Sequence, residues 1–209
     1  MLAAAGGQHS PAHAAALSEA IALFGTSADP PTLGHQALLE QLLQHYPRVI
    51  TWASDNPHKR HGATLDQRQQ LLAALVQSIG SPRLALRQEL SSPWAITTLE
   101  RAQQQWPNAA LVFVIGSDLV PQILQWRQAQ EVLRRAQLTV VPRAGCPLQP
   151  RALTALRHLG AQVAVLELPI PATASSNLRQ NPTPDQLPAA VWALIQEHNL
   201  YGATSNARC

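Results

Sequence analysis

The sequence predicts an α/β fold: an open, mostly parallel sheet of about six strands with helices on both faces. Short apolar runs that suit buried strands alternate along the chain with stretches that repeat leucine at helical spacing. Glycine, proline and polar residues gather at the junctions between them. The chain can support such a core, since its 209 residues are 46% hydrophobic and 13% charged, against roughly 25% charged in an average soluble domain. About 70% of the unfolded surface of a chain this size disappears on folding, which excludes global disorder.

Ala20 to Phe24 is an apolar run ended by Gly25 and reads as the first strand, feeding a loop. Leu38, Leu39, Leu42 and Leu43 recur at helical spacing between Leu33 and Tyr46, and Pro47 stops the pattern. A second unit repeats the first, with Val49 to Ala53 as strand and Leu71, Leu72, Leu75, Val76 and Ile79 on one helix face. Arg83 to Leu86 is a short strand, and Pro93 suits the first turn of a helix ending near Trp106. Ala110 to Ile115 is the strongest strand, followed by a helix from Leu119 to Arg135 and the strand Leu138 to Val141. Leu153, Leu156 and Leu159 mark a further helix, and Val163 to Leu166 the last strand. The Pro-, Ser- and Thr-rich stretch from Pro169 to Pro188 reads as loop and Pro188 to His198 as the closing helix. Residues 1–17 are expected to form an N-terminal extension, 18–202 a single domain and 203–209 a tail.

Several function classes drop out. No apolar run approaches the roughly 20 residues that span a bilayer. Met1 to Ala16 lacks the basic start and contiguous apolar stretch of a secretory signal, so a cytoplasmic protein without membrane contact is expected. Cys146 and Cys209 offer neither a disulfide framework nor metal-ligand spacing and read as free thiols. The formal charge is +3 and the pI near 9.4, yet no run of like charge or basic helix face appears. Nucleic acid is therefore not an expected partner, and small anionic ligands account for the excess. Among fifteen basic residues Lys59 is the only lysine.

The loop from Gly25 through Thr26 and Asp29 to Thr32, Gly34 and His35 follows the first strand directly and opens the first helix. N–H groups at a helix start and the helix dipole attract phosphate, and glycines let a ligand or neighbouring backbone come close. Thr32 and His35, three apart in the first turn, share one face. On these grounds alone His35 is a phosphate contact or a capping or packing residue.

The run Gly25-Thr26-x-x-Asp29-Pro30-x-Thr32-x-Gly34-His35 resembles the signature of the nucleotidyltransferases with a (His/Thr)-x-Gly-His motif, in its threonine version. Thr173 to Arg179, with Ser175 and Ser176, resembles that family's late Ile-Ser-Ser-Thr-x-x-Arg element. Asn56-Pro57-His58-Lys59 is similar to Pro-Pro-His-Lys, Ile115 to Asp118 to Ile-Gly-x-Asp, and Val140 to Arg143, downstream of Trp126, to Val-Val-Pro-Arg. Together with a closing Leu200-Tyr201, these narrow the resemblance to the nicotinate mononucleotide adenylyltransferases of cyanobacterial type, over Ile21 to Tyr201. The chain departs from the pattern at Ser27 and Ala28, where glycine and phenylalanine are usual, and at Thr32, where most bacterial members carry histidine. It departs again at Pro93-Trp94-Ala95, where the family's Ser-Tyr-Thr backbone helps hold the nicotinate carboxylate.

The resemblance implies a Rossmann-like domain that joins ATP to a pyridine mononucleotide and releases pyrophosphate. The attacking phosphate is already an anion, so such a site needs positioning and charge neutralisation rather than a strong base. It implies that His35, as imidazolium or neutral donor, and Thr32 meet the α-phosphate, with Lys59 as a compact point charge and Arg179 gripping the outer phosphates with its planar fork. ATP contacts fall to Gly25, Thr26, Gly34, Gly116, Asp118, Ser175 and Ser176, and the mononucleotide to Trp126, Trp94 and Ala95. Outside the motifs, Lys59 is a solvated loop lysine, Arg179 an exposed helix arginine, Asp118 a helix cap and Trp126 a core residue. Mg²⁺ is expected with ATP, held by substrate phosphates and not by a protein cage. The acid or amide form of the mononucleotide stays open, as does the oligomeric state, a homo-oligomer included. A nucleotide-binding module without turnover is the reading from another class.

Overall fold

The computed structural model describes residues 20–57, 59–143, 145–171 and 175–203. The extension expected at residues 1–17, the tail beyond Ala203 with Cys209, and the motif positions His58, Thr173 and Ala174 lie outside these. The strands are β1 (Ala20–Thr26), β2 (Arg48–Ala53), β3 (Leu84–Leu86), β4 (Ala110–Gly116), β5 (Gln137–Val141) and β6 (Val163–Val165). They form one six-stranded sheet in the order β3-β2-β1-β4-β5-β6. Every neighbouring pair is parallel, so the sheet is wholly rather than mostly so. The helices are α1 (Leu33–His45), α2 (Leu65–Ile79), α3 (Ala95–Gln105), α4 (Ala129–Arg135), α5 (Pro150–His158), the single turn α6 (Ser175–Leu178) and α7 (Ala189–Glu197).

Side chains alternate across each strand, and that period divides the core in two. Ala20, Ala22 and Phe24 of β1, with Val112 and Val114 of β4, meet the leucines of α1 and α2 and Val191 and Ile195 of α7. Ile21, Leu23, Leu111, Phe113 and Ile115 point the other way, toward α3, α4, α5 and residues 117–125. The small alanines of β1 face α1, whereas bulkier residues fill the opposite side. Because the connection after β1 runs to one face and that after β4 to the other, a crevice opens at their carboxyl ends. Open α/β sheets bind ligands at such a point.

Three local expectations change. The helix expected from Leu119 to Arg135 is a 3₁₀ run, Ser117–Gln125, separated from α4 by Gln128 in a left-handed conformation. Pro121 lies inside the run and donates no backbone hydrogen bond. In this tighter winding the buried Val120 and Ile123 fall on one side, three apart. Pro93 precedes α3 rather than opening it, because Trp94 is the N-cap. The expected loop from Pro169 to Pro188 also contains α6 and a 3₁₀ turn at Pro184–Gln186. Among the described residues no helix is long and apolar enough to cross a membrane.

Gly25 is paired in register with Trp52 of β2. A Cβ at Gly25 would lie 2.7 Å from indole atoms of Trp52, a ring that is 3% exposed and backed by Phe113 at 6.4 Å. The ring has nowhere to retreat. Gly25→Ala is expected to cost about 1–3 kcal/mol, read as a lower urea midpoint at constant slope; an unchanged midpoint would show that Trp52 yields freely.

Candidate active site

In a parallel sheet every loop that follows a strand emerges at the same edge, and the candidate residues sit on those loops. Thr26 to His35 follow β1, Lys59 follows β2, Trp94 and Ala95 follow β3, Gly116 to Trp126 follow β4 and Ser175 to Arg179 follow β6. A cavity of about 510 Å³ opens at the opposite, amino edge among Ala20, Ala110, Leu133, Gln137 and Gly160, and it borders none of them.

Thr32 caps α1, and His35 takes the place usually held by Glu or Gln in a capping box. The Thr32 backbone N–H donates to Nδ1 of His35 at 3.1 Å, and the Thr32 hydroxyl lies 2.9 Å from the same nitrogen. A backbone N–H can only donate, so Nδ1 is the acceptor and the proton resides on Nε2, which donates to Thr26 Oγ1 at 2.9 Å. Burial, helped by the guanidinium of Arg143, lowers the His35 pKa to about 4. Between imidazolium and neutral donor, the surroundings select the neutral ring with a defined tautomer.

Asp29 has no exposed surface. Its Oδ2 accepts from the Gly62 N–H at 2.8 Å, and its Oδ1 from the Ala63 N–H at 3.2 Å and the Tyr201 hydroxyl at 2.8 Å. Arg179 and His61 approach Oδ2 at 3.6 and 3.4 Å. Arg179 is thus an ion-paired, two-thirds-buried residue rather than an exposed helix arginine. The Ser175 hydroxyl donates to the Pro30 carbonyl at 3.0 Å, tying α6 to the first loop, whereas Ser176 is exposed. Arg68 of α2 is buried and donates to the carbonyls of Ser27 and Ser54 at 2.7 and 2.9 Å, clamping the loops after β1 and β2.

Asp118 faces Arg143 across the end of β4, with Oδ2 and the guanidinium 3.5 Å apart. It makes no N-cap bond, the cap of the 3₁₀ run being Gly116. A Cβ on Gly116 would collide with the Asp118 carboxylate, so this glycine makes room for Asp118, as Gly25 does for Trp52. Whatever either glycine offers a nucleotide comes from its backbone. The buried Ser117 donates to the Cys146 carbonyl at 2.6 Å and accepts from the Arg143 N–H at 2.9 Å, fixing the loop that carries Arg143.

Trp126 packs edge-on against Phe113 with centroids 6.2 Å apart. Trp94 is 42% exposed, and the guanidinium of Arg127 lies 5.5 Å from its ring centre, which draws the segments of the two tryptophans together. Ala95 is the first residue of α3. Lys59 is exposed, in a turn closed by its N–H to the Asn56 carbonyl, and its ammonium has no partner among the described residues.

Asp29, Arg68, Ser117, Arg127 and Tyr201 are functional-edge residues to which the sequence alone assigns no role. For Arg68 a signal was present: it stands three and four residues before Leu71 and Leu72, on the apolar stripe, where a charge must find a buried partner. Asp29, Ser117 and Tyr201 lay inside quoted motifs without a stated role.

Residues 23–181 match the Cytidylyltransferase-like family profile. A probable nicotinate-nucleotide adenylyltransferase of Synechocystis is 38% identical over 198 residues, covering 87% of this chain and 98% of that protein. The nicotinate-nucleotide adenylyltransferase of Bacillus subtilis is 28% identical, with 87% and 97% covered. A Plasmodium falciparum nicotinic acid mononucleotide adenylyltransferase, solved with NaAD, shares the fold at a TM-score of 0.72 and 17% identity, covering 89% of this chain and 98% of that one. The chain belongs to the Cytidylyltransferase-like family and, within it, to the nicotinate-nucleotide adenylyltransferases.

Proposed function

We propose that the protein transfers AMP from ATP to nicotinate mononucleotide, forming nicotinate adenine dinucleotide and pyrophosphate. The observation that carries this reading is the Thr26–His35–Thr32 arrangement at the start of α1, in the crevice between β1 and β4, within a chain related to such enzymes over almost its full length. An oxygen of the mononucleotide phosphate attacks the α-phosphorus of ATP, the bond from that phosphorus to the bridging oxygen breaks, and the electron pair leaves with pyrophosphate. No proton needs to be removed from the nucleophile.

His35 exchanges its Thr26 bond for an α-phosphate oxygen and donates Nε2–H where negative charge grows. A neutral donor keeps its proton through the step, and Thr32 prevents the ring from turning. Arg179 and Lys59 offset the charge of the outer phosphates, and Asp118 accepts from ribose hydroxyls once Arg143 moves aside. Gly25, Thr26, Gly34 and Gly116 line the nucleotide with Ser175 and Ser176. A Mg²⁺ that arrives on the triphosphate would keep most of its waters. When bound, that ion neutralises phosphate charge.

Trp126, Trp94 and Ala95 form the mononucleotide side. The Arg127 guanidinium beside Trp94 favours a ring carboxylate over an amide, which supports the acid as substrate. The direct test is pyrophosphate release from ATP, Mg²⁺ and either mononucleotide: faster turnover of the acid is expected, and no product with either would overturn the assignment.

Lys59→Arg should fold normally and lose about tenfold or more in kcat, because a planar fork does not replace a compact, strongly hydrated ammonium; full activity would reduce Lys59 to a solvated loop residue. In the free protein, ¹⁵N spectra of His35 should show a neutral Nε2–H ring from pH 8 down to about pH 5, since its pKa lies near 4 and not near the ordinary 6.5 or so. Between about pH 6.5 and 4 the unfolded chain binds a proton at this site that the native state refuses, so acidification weakens the fold. A His35 midpoint near 6.5 would contradict the assignment.

A further inference from the structure

We propose that Tyr201 and Asp29 are positioning residues for the triphosphate, acting through Arg179 and the loop that follows Lys59. The proposal rests on the assignment of Arg179 to ATP made above.

Tyr201 lies in the last described turn, 3₁₀ residues Leu200–Gly202, and is remote in sequence from both phosphate motifs. Its hydroxyl donates to Asp29 Oδ1 at 2.8 Å. Its ring lies against Gly62: a Cβ there would stand 3.0 Å from the ring and 3.1 Å from Cδ of Arg179. The ring, the glycine and the arginine are thus stacked without spare room. Asp29 meets all three, through the Tyr201 hydroxyl, the Gly62 N–H and the Arg179 guanidinium.

The backbone of Tyr201 supports a selected role. It is left-handed, at φ 56°, a conformation that costs a bulky residue on the order of 1 kcal/mol and that glycine adopts readily. Leu200 and Ala203 on either side are buried in the core with α7, so the turn is anchored independently of the hydroxyl. The Tyr201 pKa is raised, chiefly by burial and then by Asp29, which keeps the hydroxyl a donor.

Loss of the hydroxyl removes one of the bonds that set the Asp29 carboxylate, and Arg179 then samples positions from which it meets the outer phosphates less often. ATP binding should suffer, while the mononucleotide, bound on the side of Trp94 and Trp126, should not. That selectivity separates positioning from a general loss of structure.

The experiment is a double-mutant cycle read by ATP affinity in calorimetry, with thermal midpoints and pyrophosphate release measured on the same samples. Tyr201→Phe should fold with a midpoint within roughly 4 °C of the unmodified protein and raise the ATP Kd about tenfold, leaving mononucleotide KM unchanged. On an Arg179→Gln background the same change should add less than about twofold, because the group it positions is gone. Gly62→Ala, which wedges Tyr201 and Arg179 apart from the other side, should repeat the selective ATP defect and lose it on the Arg179→Gln background. An unaltered ATP Kd in Tyr201→Phe, or an equal loss with and without Arg179, would overturn the proposal. If the unmodified protein binds ATP but releases no pyrophosphate, the assignment of turnover fails while the positioning claim is still decided by the cycle. Absence of ATP binding would overturn both.

Discussion

Asp29 is a fully buried carboxylate in an irregular loop, and an uncompensated charge in such a place costs several kcal/mol. Its compensation comes from three directions: amides of the loop after β2, an arginine beyond β6, and a tyrosine from the end of the described chain. Segments separated by most of the sequence are therefore held by one charge. Arg68 secures the same loops from beneath through two carbonyls, and Ser175 adds a bond to Pro30. The carboxyl edge of the sheet is built as a connected polar network, the arrangement in which low dielectric strengthens each member.

That rigidity suits a reaction in which the protein moves no proton. An anionic nucleophile and a good leaving group leave positioning and electrostatic complementarity as the means of acceleration. In the proposed reaction His35 acts as a neutral donor, and its neighbours set that state. Thr32 fixes the tautomer through a backbone donor, and burial removes the positive charge an exposed imidazole could take up near neutrality. The cations at the edge differ in setting, Arg179 being paired and largely covered, Lys59 exposed and without a partner among the described residues.

Much of the architecture could be read from periodicity. Each strand begins and ends within a few residues of its expected place, since apolar runs flanked by glycine and proline leave few alternatives. The segment from Ser117 to Arg135 misled because Leu119, Val120, Ile123, Val132 and Leu133 satisfy a helical pattern, while Pro121 and the left-handed Gln128 divide it. The site was legible as a set of loops, but not as a network. Gly25 and Gly116 stand among the expected ATP contacts by resemblance, and nothing in their spacing tells that their missing side chains also accommodate Trp52 and Asp118. Contacts between residues 29, 62, 179 and 201 arise from the crossing of distant loops, and local spacing carries no trace of them.

ATP is assigned to the crevice between β1 and β4, with its α-phosphate at the start of α1. A crystal structure with nicotinate mononucleotide and a non-hydrolysable ATP analogue decides the point. An α-phosphate oxygen is expected within hydrogen-bond distance of His35 Nε2, in place of Thr26, with Arg179 on the outer phosphates and still beside Asp29. An analogue bound at the amino edge of the sheet, or a His35 that keeps its Thr26 bond while the triphosphate lies elsewhere, would contradict it.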